Sequence, residues 1–81
     1  MPAADTLIVF VKNEKGIAMP MYIRSSDMVD MIWNEVGFSK AINESTLKGK
    51  GLFFNGKKLE RGHTLSDYDI KWGDVVRIQK V

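Results

Sequence analysis

Asn55-Gly56 stands between two short strand-like runs, "LFF" before it and "KKLE" after it. A two-residue connection between antiparallel strands needs positive φ at both central positions, and Asn-Gly takes up those angles at little cost. The dipeptide therefore predicts a tight hairpin in the second half of the chain. The first half predicts another. "LIVFVK", Leu7 to Lys12, is β-branched and aromatic, "NEKG" supplies turn residues with Gly16 free to go left-handed, and "IAMPMYIR" returns. Pro20 inside the returning run has no amide to donate, which predicts that this strand lies at a sheet edge or is bulged there. After the turn residues Trp72-Gly73-Asp74, the alternation of "VVRIQKV" marks a last, half-buried strand.

One segment has helical spacing instead. In "SSDMVDMIWNEVG", Val29, Ile32, Trp33 and Val36 fall at i, i+3, i+4, i+7, with Ser26 or Asp27 expected as the cap and Gly37 as the terminator. Trp33 is expected in the core, with Met19, Met21, Met28 and Met31 filling gaps against a sheet. Residues 38–51, "FSKAINESTLKGKG", read as a connection with one short helical turn around Lys40 to Glu44, and Thr64 is placed to cap a single turn from Leu65 to Tyr68. The order is strand, strand, helix, strand, short strand, strand. This predicts an α+β fold, a mixed sheet of four to five strands packed on one main helix, spanning 7–81 after an N-terminal extension of residues 1–6.

Composition narrows the chemistry. A chain of 81 residues makes one domain, and at this size about 60–65% of the unfolded surface is buried, which leaves little room for an enclosed cleft. There is no cysteine, so disulfides, thiolate metal ligands and thiol nucleophiles are all excluded. His63 is the single histidine, and Ser25, Ser26, Ser39, Ser45 and Ser66 have no visible histidine-acid partner to activate them. Asp67, Asp69 and Asp74 suit turns and caps, and no glycine-rich phosphate loop appears. The expectation is a non-enzyme with no cofactor and no metal. No apolar run approaches the roughly 20 residues that span a bilayer, and "MPAADTLIVFVKNEK" does not look like a signal peptide, so the expected location is cytoplasmic or nuclear.

The formal charge of +2 is unevenly spread. Between residues 48 and 63 the cations Lys48, Lys50, Lys57, Lys58 and Arg61 oppose only Glu60. Such a basic stripe is a candidate site for nucleic acid or an acidic partner, although short basic runs are commonly just solvated. Nucleic acid is the lesser expectation.

"FNGKKLERGHTLSDYDI" resembles the second half of ubiquitin-family sequences, in "GK", "LE", "TLSDY" and the isoleucine that follows. "FVK" followed by Gly16, and the Ser-Asp lead into the helix, align with the first half without a gap, so the resemblance runs from about Leu7 to Lys80 with a small insertion within 38–51. It implies the β-grasp fold. Within it Leu52, Leu59, Leu65 and Ile70 are scaffold residues inserted into one core, and Tyr68 is expected to pack its ring and bond its hydroxyl to nearby backbone.

The family includes conjugated modifiers, which end in a flexible Gly-Gly tail, and docking domains. This sequence stops at Val81, so the leading expectation is a non-conjugated interaction domain, part of a larger protein. The alternatives are a modifier truncated before its tail and a basic-stripe binding module. The family's recognition patch carries over in part. Phe53 stands at its central isoleucine and Gly56 keeps a glycine, but Glu14, Arg77 and Gln79 replace a leucine, a histidine and a valine. Common ubiquitin receptors are therefore expected to bind poorly. Lys57 and Lys12 match two lysines used for ubiquitin chains, while Ile17, Trp33 and Trp72 occupy other such positions, and no chain-forming role is inferred.

Strand alternation points to a different surface. If Leu7, Val9 and Val11 face the helix, then Ile8, Phe10 and Lys12 face away from it, as do Ala18, Pro20 and Tyr22 on the second strand and Val75, Arg77 and Gln79 on the last. The resemblance implies the β-grasp order, with the first strand between the second and the last, and Ile8, Phe10, Ala18, Tyr22 and Val75 are then expected to form one apolar cluster. A contiguous exposed cluster predicts a docking face, with Phe10 as anchor, for a protein partner or a second copy of the chain.

Overall fold

The computed structural model describes residues 6–38 and 48–81. The strands are β1 (Thr6–Lys12), β2 (Ala18–Arg24), β3 (Lys50–Phe54), β4 (Lys57–Lys58) and β5 (Val75–Lys80), with one helix, α1 (Val29–Phe38), and a 3-10 turn at Leu65–Tyr68. Residues 1–5 and the expected helical turn around Lys40 to Glu44 lie outside the described residues. Thr6, placed by sequence in the N-terminal extension, is instead the first residue of β1, opposite Arg24.

The sheet order is β2-β1-β5-β3-β4. β1 and β5 run parallel, and the other pairs are antiparallel. This is the β-grasp arrangement of a mixed sheet with one helix. Two turns set the hairpins. Asn55 and Gly56 both adopt positive φ, 51° and 77°, as the two-residue connection between β3 and β4 requires. Gly16, at φ 86°, closes the turn between β1 and β2, where the Asn13 carboxamide oxygen accepts the amides of Lys15 and Ile17. Pro20 sits in β2, at the sheet edge, where its missing donor costs no ladder bond.

The core lies between the sheet and α1. It gathers Val9 and Val11 from β1, Met21 and Ile23 from β2, Val29, Ile32 and Val36 from α1, Leu52 from β3, Val76 and Ile78 from β5, and Leu59, Leu65 and Ile70 from the connecting segments. Each such aliphatic side chain contributes roughly 1.5–3 kcal/mol by leaving water. Leu7, Met19, Trp33, Phe54 and Tyr68 pack against it while partly buried.

Four details of the helix depart from the sequence reading. The Asp27 carboxylate accepts the Arg24 amide at 2.9 Å, closing the preceding turn, so it does not cap the helix, which starts at Val29 with its first amide bonded to the His63 carbonyl at 2.8 Å. The helix runs to Phe38, so Gly37 lies in its last turn rather than past it. Trp33 is half-buried because it sits at the flank of the stripe, where the Arg61 guanidinium lies 5.4 Å from its ring centre. Met28 and Met31 are exposed, since Met28 precedes the helix, bridging Thr64, and Met31 falls off the apolar stripe.

The segment before β5 is tied to the helix's leading turn. Val29 bonds to the His63 carbonyl, Leu65 donates to Asp27 at 3.0 Å and Ser66 to Ser25 at 3.0 Å. Thr64 and Asp67 form a reciprocal cap, Asp67 N–H to Thr64 Oγ1 at 3.2 Å and Thr64 N–H to the Asp67 carboxylate at 3.0 Å. The Tyr68 hydroxyl accepts the Glu60 amide at 2.8 Å. "TLSDY" is thus a bracket that holds the crossing chain against the core.

Candidate interaction face

Because β1 lies between β2 and β5, its outward side chains have neighbours on both sides. The register sets Ile8 opposite Tyr22, and Phe10 between Pro20 and Val75. Residues opposite one another in a sheet point to the same side, and Val9, Val11, Met21 and Val76 of the other parity are all buried. Ile8 and Phe10 are half-buried, Tyr22 is 79% exposed and Val75 38% exposed. The result is an apolar cluster on the face turned away from α1. Ala18, at its margin, pairs with Lys12.

Trp72 was absent from the sequence-based cluster. The amide that follows it, Gly73 N–H, donates to the Ile8 carbonyl at 2.6 Å, which brings Trp72, 65% exposed, beside the Ile8 end of the sheet. The signal was present in the sequence as a large aromatic in a turn, but the link to Ile8 depends on pairing across more than half the chain.

Phe53, Gly56, Arg77 and Gln79 lie on the other half of the same face. Phe53 pairs with Arg77 and Gln79 with Gly51. A Cβ on Gly51 would lie 3.3 Å from Phe53 Cε1 and 3.5 Å from Lys58 Cε. The Phe53 ring and the Lys58 stem therefore lie over the Gly51 backbone. A surface depression of about 410 Å³ links this half to the first, with Phe53, Asn55, Gly56, Val75 and Arg77 among its walls. Glu14, in the turn between β1 and β2, forms an ion pair with Lys50.

The basic stripe does not stay together. Lys48 is exposed; Lys50 is only 16% exposed and paired with Glu14. Lys57 lies 5.8 Å from the centre of the Tyr68 ring, and Arg61 reaches Asp30 at 3.5 Å while covering Trp33. Lys58, opposite Phe53, joins the outer face. Alternation separates neighbours in sequence onto opposite sides of the sheet.

Two carboxylates have shifted acidity. Asp30 is held below its ordinary value of 3.8, chiefly by the Gly62 amide, which donates to it at 2.9 Å, with help from Arg61. Asp67 is lowered by the Thr64 amide first, and then by His63, whose Nδ1 is 3.4 Å from it. Both serve the bracket between the helix and the crossing segment. Among the described residues no three His, Asp or Glu side chains gather as a metal site, and no helix is long and apolar enough to cross a membrane.

The model of the Ubiquitin family matches residues 9–79, from the core strand β1 to the last strand β5, and the chain belongs to the ubiquitin family.

Proposed function

We propose that the chain is an interaction domain of the ubiquitin-like type, recognised by docking rather than by conjugation, and that a protein partner binds the outer face of the sheet around Phe10. The observation that supports this reading is the cluster Tyr22, Ile8, Phe10, Pro20 and Val75, contiguous by register and open to solvent at both flanks. Scattered exposed apolar residues are normal, but a patch continuous over three strands marks an interface. At the family's usual patch, by contrast, Glu14, Arg77 and Gln79 put charge or polarity around Phe53, so the apolar surface is displaced toward the first hairpin. The work we assign to the domain is recognition, not catalysis.

A photo-crosslinking amino acid at Tyr22, in the protein expressed from its native reading frame, is expected to capture a partner that the same probe at Asn34 on the helix does not. The recovered chain is expected to show no isopeptide adduct through its own C-terminus. Capture from Asn34 alone, or a ladder of such adducts, would contradict the proposal.

A further inference from the structure

The strand positions of the outer face carry one sign of charge, and the carboxylates of Glu14 and Asp74 border it from the adjoining turns. One row crosses all five strands, Ala18, Lys12, Arg77, Phe53 and Lys58 in order, and Arg24 sits at the far corner opposite Thr6. None of Lys12, Arg24, Lys58 and Arg77 pairs with a carboxylate among the described residues. The strand positions of this parity hold no Asp or Glu. Glu14 is taken by Lys50, and the carboxylate of Asp74, just before Val75, accepts the Lys71 amide at 2.7 Å.

Lys12 directly opposite Arg77 is a like-charge pair across strands, an arrangement that destabilises a sheet unless a counter-charge arrives. The apolar row of Pro20, Phe10 and Val75 runs alongside it, two residues along each strand, or roughly 7 Å away. Building on the docking function proposed above, we infer that the face takes an acidic protein segment, one that seats a large apolar side chain on the Phe10 row and sets carboxylates on the Lys12–Arg77 row. A second copy of the chain fits worse, since this face would meet another with the same cations and no carboxylate at its strand positions. Nucleic acid also fits worse, because the central row of Pro20, Phe10 and Val75 contains no cation to meet a phosphate and the net charge is only +2.

Selection of random peptides displayed on phage against the whole chain, with Phe10→Asp and Arg77→Glu as controls, tests this. Enriched peptides are expected to combine Asp or Glu with a neighbouring large apolar residue and to be lost with Phe10→Asp. Synthetic copies should weaken about tenfold or more with Arg77→Glu or on raising the salt, and recover with Arg77→Lys. Peptides that need Phe10 but lack carboxylates and ignore Arg77→Glu would overturn the acidic partner and leave docking intact. Peptides indifferent to Phe10, or no enrichment over the Phe10→Asp control, would overturn both. Tighter binding of a uridine-rich RNA oligonucleotide at Lys58 and Arg77, or dimerisation that Phe10→Asp abolishes, would overturn the acidic segment.

Discussion

Phe10 and Val75 stand opposite each other across the parallel β1–β5 pair, on the side of the sheet that α1 does not cover. Val11 and Val76, one step along, stand opposite each other in the core. One register therefore sets both the stability of the domain and the composition of its open face.

Replacing a core residue of this register is costly. Leu52→Ala removes a fully buried side chain paired with Ile78 and is expected to lower stability by roughly 2–5 kcal/mol, read from urea denaturation. Val75→Ala, on the open side, is expected to change it far less.

Thr64→Ala removes the hydroxyl that accepts the Asp67 amide and one half of the reciprocal cap. The expected loss is about 1 kcal/mol, with Thr64→Ser retaining most of the stability. Denaturation midpoints of the two variants give the comparison.

Acid should loosen the bracket between α1 and the crossing segment. Asp30 and Asp67 are more acidic in the folded chain than their ordinary value of 3.8, so their contribution is present above that value. It is lost as the pH falls through their lower folded values. Asp30→Asn with Asp67→Asn is expected to flatten the fall in the urea midpoint between neutral pH and pH well below 3.8. An unchanged slope would place the acid sensitivity elsewhere.

A ubiquitin-associated helical domain, which in the family seats apolar side chains on the usual patch, is expected to leave the amide signals of Phe53 and Gly56 unmoved. By the family resemblance Glu14, Arg77 and Gln79 fall at positions of that patch, and unpaired polar groups there cost affinity. Saturating shifts at Phe53 and Gly56 would show that the patch still works.

The fold was legible where its causes are local. Asn55-Gly56, Pro20, the Thr64–Asp67 spacing and the period-two pattern of β1, β2 and β5 each act within a few residues, and the succession of elements followed from them, whereas the order of strands in the sheet came from the family resemblance. The helix ends were less legible, because Asp27 spends its carboxylate on Arg24 and the first helical amide is satisfied by His63, distant in sequence. The placement of the cations is likewise set by register rather than by distance along the chain. A run of cations in sequence, Lys57 and Lys58, divides between two faces, whereas Lys12, Arg77 and Lys58 are collected by register. Counting charge by strand parity, rather than along the chain, would have found that row.

The most direct measurement is the thermal melt and amide spectrum of Phe10→Asp beside Val9→Asp, with partner capture from Tyr22 repeated on the folded variant. Val9→Asp places a carboxylate in the core and is expected to unfold the domain. Phe10→Asp is expected to keep the native spectrum and a melting temperature near that of the parent, yet lose the partner, since removing a central aromatic anchor costs about 2 kcal/mol or more of binding. A Phe10→Asp chain that unfolds like Val9→Asp, or that folds and still holds its partner, would contradict a docking face centred on Phe10.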